Sequence, residues 1–156
     1  MGYTGYAAIV IGSKNLLMKI YEISPSGGIR VLDSICHEYE LVKEAYGTGT
    51  VSFTQIEEIC DVLNDYLVHM KEYDIREYRC YATSAIRNAR NQLSVLNQIK
   101  IRTGITVQML ANSELRFLMY KSIQMSELDF DHIIQKNTAI LDIGSGSGQS
   151  GRFWKQ

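Results

Sequence analysis

The 156-residue chain carries almost no net charge, −1 from sixteen basic and seventeen acidic side chains. It therefore offers no bulk electrostatic attraction for nucleic acid or an anionic membrane, and an anionic substrate must be held by a local site. No apolar run is long enough to span a bilayer and no signal-peptide pattern opens the chain, so no membrane partner is expected. Three cysteines, Cys36, Cys60 and Cys80, are odd in number and far from CxxC or Cys/His ligand spacing. That pattern speaks against a metal cluster and fits reduced core thiols in a cytoplasmic protein. His37, His69 and His132 are isolated and show no ligand pairing, which leaves them solvated or core roles. Internal repeats and low-complexity tracts are also absent.

What is present is ordered punctuation. Tyr6 to Ile11, Leu16 to Ser24 and Gly28 to His37 are β-rich runs parted by Gly12-Ser13-Lys14-Asn15 and Pro25-Ser26-Gly27, the pattern of an antiparallel meander. Ser52-Phe53-Thr54-Gln55 has the form of a capping box, and Ile56, Ile59, Cys60, Leu63, Leu67 and Met70 follow at helical spacing. A strand over Tyr78 to Ala82 is expected next. A helix over Gln92 to Arg102 comes after it, packed through Leu93, Leu96 and Ile99 and closed by Gly104. A strand over Ile105 to Leu110 and a helix capped by Asn112 or Ser113 complete this stretch, and Thr138 to Leu141 reads as a short buried strand. Three hairpin-linked strands followed by alternating helix and strand predict an α/β fold, a ribonuclease-H-like mixed sheet with flanking helices, as in one lobe of the actin-like phosphotransferases. On this reading residues 1–136 form one lobe, and 137–156 open a second that is truncated.

Three segments could carry chemistry. Asp142-Ile143-Gly144-Ser145-Gly146-Ser147-Gly148 follows a strand end, where backbone N–H groups can converge on phosphate. Alone it also resembles the first motif of S-adenosylmethionine-dependent methyltransferases, but in that fold most of the sheet must follow the motif, and only eight residues follow Gly148. A flexible glycine linker is the bland alternative. In Ala82-Thr83-Ser84-Ala85-Ile86-Arg87-Asn88-Ala89-Arg90-Asn91, small residues admit a substrate to the backbone and Arg87 can fork onto phosphate oxygens. The same residues could as well cap a short helix and form a surface ion pair. In Asn112-Ser113-Glu114-Leu115-Arg116, Glu114 is either a general base in a cleft or an ordinary first-turn glutamate favoured by the helix dipole.

Together these segments resemble the exopolyphosphatase/guanosine pentaphosphate phosphatase family. Its N-terminal lobe shows a D-I-G-S-N-S loop, an A-T-S-A-x-R-x-A-x-N segment, a G-x-E-E-A-R helix start and a D-I-G-G-G-S loop opening the second lobe. Ala82 to Asn91 matches the second motif at every specified position. Asp142 to Ser147 matches the fourth with Ser145 for the middle glycine, and Glu114 with Arg116 falls on the third. The first appears as Val10-Ile11-Gly12-Ser13-Lys14-Asn15, with Val10 for the leading aspartate and Lys14 for the asparagine.

The resemblance implies a hydrolase that removes terminal phosphate from polyphosphate or guanosine pentaphosphate. Glu114 would activate water, and Arg87 would neutralise charge on the transferred group. Gly12, Ser13, Lys14, Thr83, Ser84, Gly144, Ser145, Gly146 and Ser147 would hold phosphate. Asp142 would face a magnesium or other divalent ion. No nucleic-acid partner is implied, and a homodimer is left open. The rival reading, raised by Val10 and by the missing second lobe, is a noncatalytic phosphate- or nucleotide-sensing module.

Overall fold

Alternating apolar residues build the first three strands, β1 (Thr4–Ile11), β2 (Asn15–Ile23) and β3 (Ile29–Glu38). A computed structural model describes residues 2–39, 47–126, 138–143 and 148–153. The three strands pair antiparallel in chain order, with Ile11 opposite Leu16 across the first turn. Ala7, Ile9 and Ile11 of β1 and Leu16, Met18 and Ile20 of β2 are buried on one face of the sheet. Helix α1 (Phe53–Glu72) covers that face; its capping box forms as expected, Gln55 N–H donating to Ser52 Oγ and Ser52 N–H to Gln55 Oε1. Tyr66 of α1 adds a buried tie, its hydroxyl donating to the Leu16 carbonyl at 2.7 Å.

The chain then alternates: β4 (Glu77–Ala82), a single turn α2 (Ser84–Arg87), α3 (Gln92–Thr103) and β5 (Val107–Met109). The sheet order is β3-β2-β1-β4-β5, with β4 parallel to both β1 and β5. This is the mixed five-stranded sheet with flanking helices of the ribonuclease-H-like lobe. Helix α3 ends at Gly104 with φ 76°, a left-handed position that suits glycine. Strand β5 is shorter than the sequence suggests because the cap takes its first residues: Ile105 N–H donates to Thr103 Oγ1, and Lys100 Nζ reaches Gly104 O and Thr106 Oγ1. Ile99 is buried and Leu96 packs partly buried against the core as expected, but Leu93 is 80 % exposed, and Val95, one helical turn before Ile99, takes the buried position.

Residues 1–109 form one compact unit and 110–156 another. The second contains α4 (Asn112–Ser126) and a two-stranded antiparallel sheet of β6 (Thr138–Ile143) and β7 (Gly148–Phe153). Pairing with β7 was not visible in the sequence, where Gly148, Gly151 and two polar residues between them carry no strand pattern.

Two of the histidines hold the edge strand β3 to α1. His37 Nε2 lies 3.2 Å from Glu58, and His69 Nε2 lies 2.8 Å from Asp33, with Glu72 3.1 Å from the other ring nitrogen. His132 lies outside the described residues. Hydrogen bonds from His69, from the Ser34 N–H and from the Tyr73 hydroxyl hold the Asp33 carboxyl below the ordinary carboxylate range. A lowered folded value means the ionised group stabilises the fold above its unfolded titration, and that contribution is lost as pH falls through the folded value. Asp33→Asn should therefore unfold more readily than wild type near neutrality, with the gap closing in acid. Urea melts across pH test this, and a gap that stays constant into strong acid would refute it.

Cys60 and Cys80 are buried free thiols, as expected of core cysteines, whereas Cys36 is exposed on the edge strand β3 and is not a core thiol. Burial pushes the Cys80 thiol up to about 12, so it stays protonated and unreactive.

Candidate phosphate-binding site

Parallel neighbours β1 and β4 end level, Ile11 opposite Ala82, so the segments that follow them leave the same edge of the sheet side by side. Ligands of open α/β sheets bind at such carboxyl ends. Thr83 fastens the two together, its N–H and its hydroxyl both donating to the Ile11 carbonyl at 3.1 and 3.3 Å. Beyond it, Ser13 and Ser84 bring their hydroxyls to 3.5 Å across 71 residues of sequence. Among the described residues they are the two polar ones buried with the core, 8 % and 5 % exposed. Paired hydroxyls held at a strand end have donor capacity for an anion's oxygens.

The turn carrying Ser13 is held by backbone and side-chain hydrogen bonds. Gly12 N–H donates to Asn15 O at 2.8 Å, and a Cβ on Gly12 would stand 2.9 Å from that oxygen, so only glycine fits. Tyr39 locks the outside, its hydroxyl donating to Gly12 O at 2.9 Å and its N–H to Lys14 O at 2.9 Å. Burial raises the Tyr39 phenol far above its ordinary value, so it remains a donor. Lys14 is exposed at the tip. No pattern in the sequence marked Tyr39, which follows the last strand residue.

Asn91 is a second residue whose part the sequence left unassigned. Its side-chain amide copies a strand pairing, accepting from Val51 N–H at 3.0 Å and donating to Val51 O at 2.8 Å. Arg90 N–H donates to Gly49 O at 2.8 Å, and its guanidinium bonds to Thr48 O. The end of the Ala82–Asn91 segment thus pins residues 48–51, just before the α1 cap, and Arg87 sits half-buried between that clamp and Ser84 in the chain.

Glu114 belongs to the second unit, where it is exposed in the first turn of α4 and its Oε2 accepts the Ala111 N–H at 2.8 Å. That bond caps the helix, so the cap comes from Glu114, not from Asn112 or Ser113, which lie inside the first turn. Asp142 is on β6 opposite Gln149. Gly144, Ser145, Gly146 and Ser147 lie outside the described residues.

Residues 20–149 match the profile of the Ppx/GppA phosphatase family. The chain belongs to that family. A curated relative, the bifunctional 3-dehydroquinate synthase/phosphatase of Fusobacterium nucleatum, is 26% identical over 147 residues, covering 90% of this chain and 22% of that protein. Among solved structures, an exopolyphosphatase from Cytophaga hutchinsonii superposes with a TM-score of 0.84 at 19% identity, over 98% of this chain and 49% of that one. The Ppx/GppA enzyme of Aquifex aeolicus superposes with a TM-score of 0.81 at 22% identity, over 97% and 49%. The chain thus spans about half the length of these Ppx/GppA structures, and they establish its fold as an actin-like lobe.

A divalent ion is implied by the family resemblance, and the β1–β2 turn does not fit one. Val10 stands between Leu17 and Tyr81 in the sheet, an aliphatic side chain with no ligand atom. Among the described residues no group of three or more His, Cys, Asp or Glu side chains could hold a metal.

Proposed function

We propose that this Ppx/GppA lobe grips phosphate for a phosphoanhydride hydrolase that removes terminal phosphate from polyphosphate or guanosine pentaphosphate. The observation that carries the reading is the meeting of Ser13 and Ser84 at the level ends of β1 and β4. Backbone and hydroxyl donors there would hold phosphate oxygens, Thr83 would fix the spacing, and Arg87 would offer a bidentate fork to charge that develops on the transferred group. Glu114 would take the proton of the attacking water. Phosphoryl transfer of this kind depends mainly on positioning and electrostatic stabilisation, which rigid loops supply. By the family resemblance the glycine-rich loop of 144–147 would also hold phosphate, and Asp142 is the carboxylate assigned to any divalent ion.

The test is release of orthophosphate from polyphosphate and from guanosine pentaphosphate by the complete protein, compared with Ser84→Ala. Loss of one hydrogen bond to a charged oxygen should raise KM about tenfold or more while the melting temperature changes little. Release from neither substrate would overturn the hydrolase. Val10 favours one alternative, a sensing module, which would bind both ligands without turnover.

A further inference from the structure

Four of the five backbone carbonyls from Ile11 to Asn15 are engaged at the β1–β2 turn, whereas two of its N–H groups are not. The carbonyls of Ile11, Gly12, Lys14 and Asn15 already accept from Thr83, the Tyr39 hydroxyl, the Tyr39 N–H and the Gly12 N–H. Among the described residues the N–H groups of Ser13 and Lys14 donate to nothing, and the Lys14 ammonium forms no hydrogen bond or ion pair. Lys14 opens instead onto a cavity of about 370 Å³ that it lines with Asn15, Glu38 and Tyr39. Among the described residues Glu38 is the one carboxylate of that lining.

A divalent cation at this turn would need oxygen ligands, preferably carboxylates; four of the five backbone carbonyls are engaged, Val10 has no side-chain oxygen, and the Lys14 ammonium repels it. An anion needs the reverse, adjacent N–H donors and a positive charge. This asymmetry lies where the sequence departs from the family motif, at Val10 and Lys14. Resting on the phosphate-site reading above, we infer that Lys14 is a built-in counter-cation for phosphate at the β1–β2 turn, so that this turn holds a phosphoanhydride chain without a divalent ion. Ser13 and Lys14 supply the backbone donors, and the ammonium supplies the charge that a carboxylate-bound metal would otherwise bring. Glu38 lines the same cavity, and its negative charge opposes the anion.

Calorimetric titration of the chain with tripolyphosphate, in chelator and again with magnesium, tests this. Wild type should bind in chelator. Lys14→Asn should weaken that binding about tenfold or more, since a hydrogen bond to a charged group is lost. Lys14→Arg should hold within a few-fold, and Glu38→Gln should tighten. Thermal melts of all three variants should match wild type, because the side chains are exposed. Binding that needs magnesium, or Lys14→Asn binding like wild type in chelator, overturns the role of Lys14 and leaves the phosphate site standing. Tripolyphosphate binding in neither condition overturns both.

Discussion

Glu114→Gln should lower kcat of the complete protein on polyphosphate by about 10²- to 10⁴-fold, the usual contribution of a positioned general base. The substitution separates the two roles that the sequence left open. Glu114 Oε2 accepts the Ala111 N–H at 2.8 Å, and a glutamine amide oxygen can accept the same bond. The start of α4 should therefore persist in Glu114→Gln, with an unchanged melting temperature and loss confined to turnover. Glu114→Ala removes base and cap together, and should add the ~1 kcal/mol of destabilisation typical of a lost helix cap. If Glu114→Gln turns over like wild type while Glu114→Ala is merely less stable, the residue is a helix cap and another group activates the water.

The sheet was legible because its signals are local. Turn glycines at Gly12 and Gly27, the Ser52–Gln55 box and Gly104 each fix a boundary through backbone chemistry that a few residues determine. The turn at Gly12 to Asn15 and the helix start after Ala82 were legible for the same reason, and the fold supplies what spacing could not: parallel pairing of β1 with β4 sets Ser13 beside Ser84. Long-range ties escaped. Tyr39 on the Gly12 carbonyl, Asn91 on Val51, and the histidine bridges from β3 to α1 depend on which distant backbone or carboxylate a side chain meets, and no periodicity records that. Asn91 shows the difference well, since the motif marked its position and only the structure gives its partner. Leu93 failed for another reason: as an apolar residue in the first turn of α3 it fits a short hydrophobic count, yet the i, i+4 pair Val95 and Ile99 defines the buried stripe.

Leu63→Ala should cost the 1–109 unit about 2–5 kcal/mol, the range for truncating a fully buried leucine. Leu63 has no exposed surface and sits on α1 within the cluster that includes Ile9, Met18, Ile59 and Ile99. Its removal leaves a cavity between helix and sheet that packed neighbours can fill only in part, so transfer and cavity terms add. Leu93→Ala is the matched control, with the same atoms deleted from a side chain 80 % exposed, and should stay within about 0.5 kcal/mol of wild type. Each kcal/mol lowers the melting temperature by roughly 4–8 °C in a unit of this size, so the two variants separate clearly in a single scan. Equal destabilisation by both, or a larger loss at Leu93, would mean that α3 turns its other face to the sheet and that the helical layer of this lobe is packed differently.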